Sequence, residues 1–271
     1  MKFDSNLAWK QASGAVSANR DVMLALAGAF FMLPSLVVAL LIPQPQPVTG
    51  ASQEAMMATL SEYYSTALPL MIPMAIVQMV GTLAMLTIFT DTSRPTVGQS
   101  IRIGLQSAFP YILSQLVFGI AMGVVGGVVL GLASVTGSPA LGGFVTIALL
   151  VGMFYAFIKT SLVAPVIVVD GERNPIAALR RSWRLTGGNS FRIALFYLLI
   201  GLAFMLVVAI FTGLSGVLFA LLAGAEGAKV GSAVVSSALW AVMTVFFVAV
   251  IAAVHRQLAG PAIGDSTTPF E

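Results

Sequence analysis

Between Ile193 and Leu222 the chain carries no charged side chain at all: IALFYLLIGLAFMLVVAIFTGLSGVLFALL. A run of this kind exceeds the about 20 apolar residues that a helix needs to cross a ~30 Å hydrocarbon core. Comparable runs recur. With ends loose by several residues, six spans fall at about 22–43, 66–90, 109–134, 143–169, 193–222 and 231–254. Hydrophobic residues make up 58% of 271 positions and mean hydropathy is +0.99. Ordinary globular chains are about 45–50% apolar, so this much apolar surface would not be hidden from water. Lipid offers no hydrogen-bond partner, and the spans lack the alternation of barrel strands, so helices are expected. The expected fold is all-α: a polytopic membrane protein with a single six-helix transmembrane domain over residues 1–260. The polar tail PAIGDSTTPFE, 261–271, is expected to be a disordered cytoplasmic extension. No small-residue cleavage site follows the first apolar run, which is too long for a signal-peptide core.

Charge orients the bundle. Lys2, Lys10 and Arg20 precede the first span, Arg94 and Arg102 separate the second from the third, and Arg256 follows the sixth. Five arginines, Arg173, Arg180, Arg181, Arg184 and Arg192, crowd between the fourth and fifth. Of 13 Lys and Arg, only Lys229 lies in an opposite-side loop and only Lys159 within a span. By the positive-inside rule both termini are cytoplasmic. The spans pair into three hairpins, each preceded by a short cytoplasmic interfacial amphipathic helix, at roughly 4–20, 95–108 and 174–188. The latter two share a proline start, Arg94-Pro95 and Asn174-Pro175. On the opposite side, PQPQPVTGAS is extended and turn-like, and QEAMMATLSEYYSTA is expected to lie on the outer surface as a short helix.

The richest stretch is NPIAALRRSWRLTGGNSFR, 174–192. Asn174 suits an N-cap and Pro175 a first helical turn. Ile176, Leu179 and Trp183 form an apolar stripe, from which Arg180, Arg181 and Arg184 are expected to project on the opposite side. Gly187-Gly188 ends the helix, and Asn189-Ser190 is placed to cap the next. Such a helix lies in the headgroup layer, with Trp183 at the interface and arginines facing phosphates, each worth about 1 kcal/mol near an anionic surface. It reads either as a topology signal with a membrane-parallel linker, or as a site for an anionic headgroup or acidic partner. The patch is too short for nucleic-acid binding.

Lys159 lies in MFYAFIKTSLVAPVIVVD. Were the helix continuous to Asp170, the ammonium would sit roughly 16 Å from that end, deep in hydrocarbon. Gln78, Gln115, a carbonyl freed by Pro165 or a lipid phosphate are the candidate partners; a neutral or snorkelling lysine without a role is the plain alternative. In GIAMGVVGGVVLG, Gly119, Gly123, Gly127 and Gly131 recur every fourth residue and form a flat stripe for close helix packing, within the chain or with a second copy. Pro34, Pro69, Pro73 and Pro165 interrupt spans. With no cysteine and one histidine, His255, neither a thiolate nor a His-based metal site is expected, nor any cofactor. The acidic residues stand singly, apart from Asp170 and Glu172 beside Arg173, and no nucleophile–base–acid set is evident.

The segment LVAPVIVVDGERNPIAALRRSWRLTGGNSFRIALFYLLI resembles the membrane domain associated with some bacterial glycerophosphoryl diester phosphodiesterases and with stand-alone proteins of that type. Lys159, Pro165, Asp170 and AALRRSWRLTGGNSFR occur in the expected order, and RPTVGQSIRIGLQ is a weaker echo. The resemblance implies the architecture, a bacterial inner-membrane setting and a loose association with lipid or envelope biology. The hydrolase of those proteins is a separate soluble barrel with no counterpart here, so the activity does not transfer. The expected role is a non-enzymatic scaffold engaging anionic lipids, another membrane protein or itself. The alternative is a small transporter or lipid-translocating protein with a cavity at Lys159. On the first reading the residues that matter are Lys159, Arg180, Arg181, Trp183, Arg184 and Arg192.

Overall fold

In the computed structural model, residues 2–42, 52–91, 93 and 95–260 are described; the stretch 43–51 and the tail 261–271 lie outside them. The elements are α1 (Ser5–Ala18), α2 (Arg20–Ala27), a π-helical turn (Gly28–Met32), α3 (Leu33–Leu41), α4 (Gln53–Thr90), α5 (Val97–Val135), α6 (Pro139–Thr160), α7 (Val163–Val168), α8 (Pro175–Leu185) and α9 (Ser190–Ala259). No strand occurs among the described residues. Five stretches are long and apolar enough to cross a membrane: Arg20–Leu41, Gln53–Thr90, Val97–Val135, Pro139–Val168 and Ser190–Ala259.

Local chemistry explains where these helices bend, start and stop. Pro34 has no N–H and its ring crowds the carbonyl one turn earlier; the π turn directly ahead of it relieves that conflict. Pro69, Pro73 and Pro110 are carried inside α4 and α5 without ending them. Thr96 and Gln99 form a reciprocal capping box at the start of α5. From there α5 runs unbroken, so the expected separate lead-in helix at 95–108 is the first part of a 39-residue span. The expected surface helix after residue 52 is likewise the opening of α4, because nothing between Gln53 and Thr90 ends the helix.

The 70 residues of α9 would measure roughly 105 Å as one rod. They are broken at Gly224, whose φ of 69° and ψ of −162° only glycine adopts readily. Beyond it the chain doubles back: Phe204 lies 5.7 Å from Phe246, and Gly201 faces the Phe247 ring.

The chain divides into two compact units. One comprises Asn19–Thr82 and Gly201–Phe247. There Gln78 donates to Ser35 Oγ at 3.2 Å, and Gly81 leaves room for Phe30, whose Cβ would lie 2.5 Å from an added methyl. Gly81→Ala is therefore expected to cost about 1–3 kcal/mol, read as a lowered unfolding midpoint in detergent.

The other unit, Met1–Ala18, Leu83–Ile200 and Val248–Glu271, holds α5 to α8 and both ends of the described chain. Its N-terminal segment is tied down. The Phe3 N–H donates to Asn189 Oδ1 at 2.9 Å, its ring lies 5.4 Å from Phe196, and Asp4 and Gln257 exchange two hydrogen bonds at 3.1 Å. Asn189 thus serves Phe3 and makes no side-chain cap on α9. Arg256 Nη2 donates to the Phe89 carbonyl at 2.7 Å, a cation at the negative end of α4. In the α5–α6 hairpin, Gly126 approaches Leu149. The stripe Gly119, Gly123, Gly127 and Gly131 faces away from the rest of the described chain, with nothing within 4 Å of an added Cβ. Its flat surface packs no helix here, because α6 meets the neighbouring face of α5.

Candidate functional site

The span expected to run through 143–169 is interrupted. α6 ends at Thr160, Leu162 adopts φ −96° and ψ 10°, and α7 begins at Val163. A break of this kind strands a backbone donor and acceptor in the interior, and both must find partners. Ser182, fully buried on α8, supplies them. Its hydroxyl donates to the Lys159 carbonyl at 2.8 Å and accepts from the Leu162 N–H at 3.1 Å. Thr186, one turn on, also points its hydroxyl toward the Lys159 carbonyl at 3.5 Å.

α8 docks through small residues. Ala178, Ser182 and Thr186 recur every fourth position and are completely buried. Small side chains let two backbones approach closely, which suits helix contacts in lipid. Val163, Val166, Ile167 and Ala178 form the apolar core beneath, closed by Tyr111, Leu179 and Leu185. Asn174 caps the helix as expected, accepting from the Ile176 and Ala177 N–H groups at 3.0 and 3.2 Å.

Lys159 is accordingly not a mid-helix charge. It stands in the last turn of α6, 5% exposed, and its Nζ donates to the Trp183 carbonyl at 3.4 Å, the last turn of α8. A cation there complements the partial negative charge of α8's unsatisfied carbonyls. The Tyr155 and Trp183 rings flank it, each centroid 5.5 Å away, and lie edge-to-face with one another. Gln115 donates to Tyr111 instead of serving Lys159.

A second clamp holds α8 from the other side. Asp170, just after α7, pairs with Arg181 Nε through one carboxylate oxygen. Its other oxygen lies 3.3 Å from Nε2 of His255, which is 3% exposed on α9. Burial raises the Asp170 carboxyl, yet the His255 imidazole and the Arg181 guanidinium outweigh it and hold the group below the usual carboxylate range. Glu172 caps locally, accepting from the Asn174 N–H, and neither acid pairs with Arg173.

These two clamps decide what α8 presents outward. Ile176 (50% exposed), Arg180, Trp183 (44%) and Arg184 share the outer face and line a shallow groove. Arg180 and Arg184 make no ion pair among the described residues. The arginines were expected on the side opposite the apolar stripe. Arg180 and Arg184 instead flank Ile176 and Trp183, and Arg181, at the edge of the same groove, reaches to Asp170. Arg192 lies apart, on the first turn of α9 beside Lys2. No group of three or more potential metal-ligating His, Cys, Asp or Glu occurs among the described residues.

Long apolar helices and a basic, aromatic helix held beside them define an all-helical membrane protein. A family model, "Domain of unknown function (DUF7847)", matches residues 8–258, and the chain belongs to that family. No curated protein and no solved structure matches the chain. Nothing in these comparisons links it to the membrane domain of glycerophosphoryl diester phosphodiesterases.

Proposed function

We propose that this is a non-enzymatic scaffold or accessory protein of a bacterial inner membrane that engages anionic lipid headgroups through the outer face of α8. The observation that carries the reading is the pair Arg180 and Arg184, one helical turn apart, exposed beside Trp183 and Ile176 and unpaired with any described residue. Guanidinium groups bind phosphate oxygens bidentately, while an interfacial indole and an aliphatic neighbour suit the boundary between headgroup and acyl chain. The chain reversal at Gly224 supports six crossings, arranged as three hairpins, and the placement of the basic residues supports cytoplasmic termini. An association with the phosphodiesterase-type membrane domains belongs to the same proposal, on the strength of the Lys159–Arg192 segment alone. The transporter alternative draws no support from Lys159, whose ammonium is enclosed by two aromatic rings and a carbonyl.

Replacing Arg180 and Arg184 together by Gln is expected to reduce retention of phosphatidylglycerol three-fold or more in native mass spectrometry, with phosphatidylcholine little changed. Arg181 is left intact because its partner is Asp170. Equal retention of the anionic lipid by the variant and the natural chain would remove the basis for the reading.

A further inference from the structure

The anchored N-terminal segment builds a second concavity in the same unit, away from the outer face of α8. A groove of about 530 Å³ is lined by Lys2, Phe3 and Asp4 on one side and by Arg192, Leu195 and Leu199 of α9 on the other. We infer that this groove is a separate binding site for one glycerophospholipid with an anionic headgroup, its phosphate held between Lys2 and Arg192 and an acyl chain lying along Leu195 and Leu199.

The geometry is that of an amphiphile. Arg192, Leu195 and Leu199 stand at i, i+3 and i+7, one face of α9, so the cation and the two leucines follow one another along the helix. All three are exposed, and the two leucines lie within the apolar span. Across the groove, Phe3 is buried and fixed by its N–H bond to Asn189 and its contact with Phe196, which holds Lys2 on the groove that Arg192 also lines. The groove also holds one carboxylate, Asp4, whose Oδ1 accepts the Leu7 N–H at the start of α1. Neither Lys2 nor Arg192 has an ion-pair partner among the described residues. Two cations against one carboxylate leave the groove with a net positive charge over an apolar wall, which favours a headgroup with net negative charge over a zwitterionic one. The groove's volume is within the about 300–1,000 Å³ of small-ligand sites.

The test uses the full chain in nanodiscs containing phosphatidylglycerol with a photoactivatable diazirine in its acyl chain, followed by mapping of the adducts. Adducts are expected on the 195–199 segment, reduced at least three-fold in Lys2→Gln/Arg192→Gln and kept in the charge-preserving Lys2→Arg/Arg192→Lys. An unfolding midpoint matching that of the natural chain shows that the Gln variant is folded. A phosphatidylcholine probe labelling the segment equally, or adducts unchanged by the Gln pair, would overturn the site. Arg180→Gln/Arg184→Gln is expected to leave these adducts intact, which separates the two proposals. Should that variant retain all its anionic lipid while Lys2→Gln/Arg192→Gln loses the adducts, the α8 reading fails and this one stands.

Discussion

Ser182→Ala is expected to lower the stability of the purified protein by roughly 2–4 kcal/mol, because each buried group left unpaired costs about 1–3 kcal/mol. The substitution removes one oxygen but abandons two partners, the Leu162 N–H and the Lys159 carbonyl, at the break between α6 and α7. Thr186 sits 3.5 Å from that carbonyl and recovers part of the loss, whereas no other side chain reaches the Leu162 N–H among the described residues. The loss is measured as a drop in unfolding midpoint in detergent. Ser190→Ala is the control. Its hydroxyl only adds a second bond to the Thr186 carbonyl, which already holds the Asn189 N–H, so the change should stay within about 0.5 kcal/mol. Equal midpoints for Ser182→Ala and Ser190→Ala would show that the break does not depend on α8.

Asp170→Asn is the second large effect. It leaves the His255 imidazole without its acidic neighbour and Arg181 without its ion pair. Breaking a fully buried pair costs about 3–5 kcal/mol; Arg181 is 39% exposed, and solvent screening reduces the expectation to about 1–3 kcal/mol. The pH dependence gives an independent check. The folded carboxyl titrates below its ordinary value of 3.8, so the unfolded chain binds the proton more readily. The stabilisation is therefore fully present above that ordinary value and disappears as pH falls through the folded one. The natural chain should lose stability across that acid window, and Asp170→Asn should lose less, so their midpoints converge. Parallel curves in acid would contradict a charged Asp170 in the clamp.

The local grammar of α8 was readable in the sequence. An Asn-Pro start writes its own cap, and Gly188, with φ 75°, ends the segment as a residue without Cβ should. Its orientation was not readable by the usual rule, which buries the larger apolar residues. In lipid the large residues have no need to hide, and Ala178, Ser182 and Thr186 form the packed face instead. That spacing is present in AALRRSWRLT, where Ala178, Ser182 and Thr186 stand four residues apart. The partners of Lys159 were not readable, because the break after Thr160 is satisfied by Ser182, a tertiary partner with no signature near Lys159. The Asp170–His255 contact joins segments far apart in the chain, and only the fold reveals it. The long apolar runs needed no such help, since their length alone sets what they do.

The proposed function requires that α8 turn Trp183 and its neighbouring arginines to an anionic membrane surface. With Trp9 and Trp240 replaced by Phe, Trp183 is the one remaining indole of the three, and its fluorescence reports that face directly. In vesicles, quenching by phosphatidylglycerol brominated near the headgroup should exceed quenching by brominated phosphatidylcholine at equal mole fraction. The preference should vanish in Arg180→Gln/Arg184→Gln. Strong quenching by aqueous iodide with none by either brominated lipid would place the face in water and contradict the account.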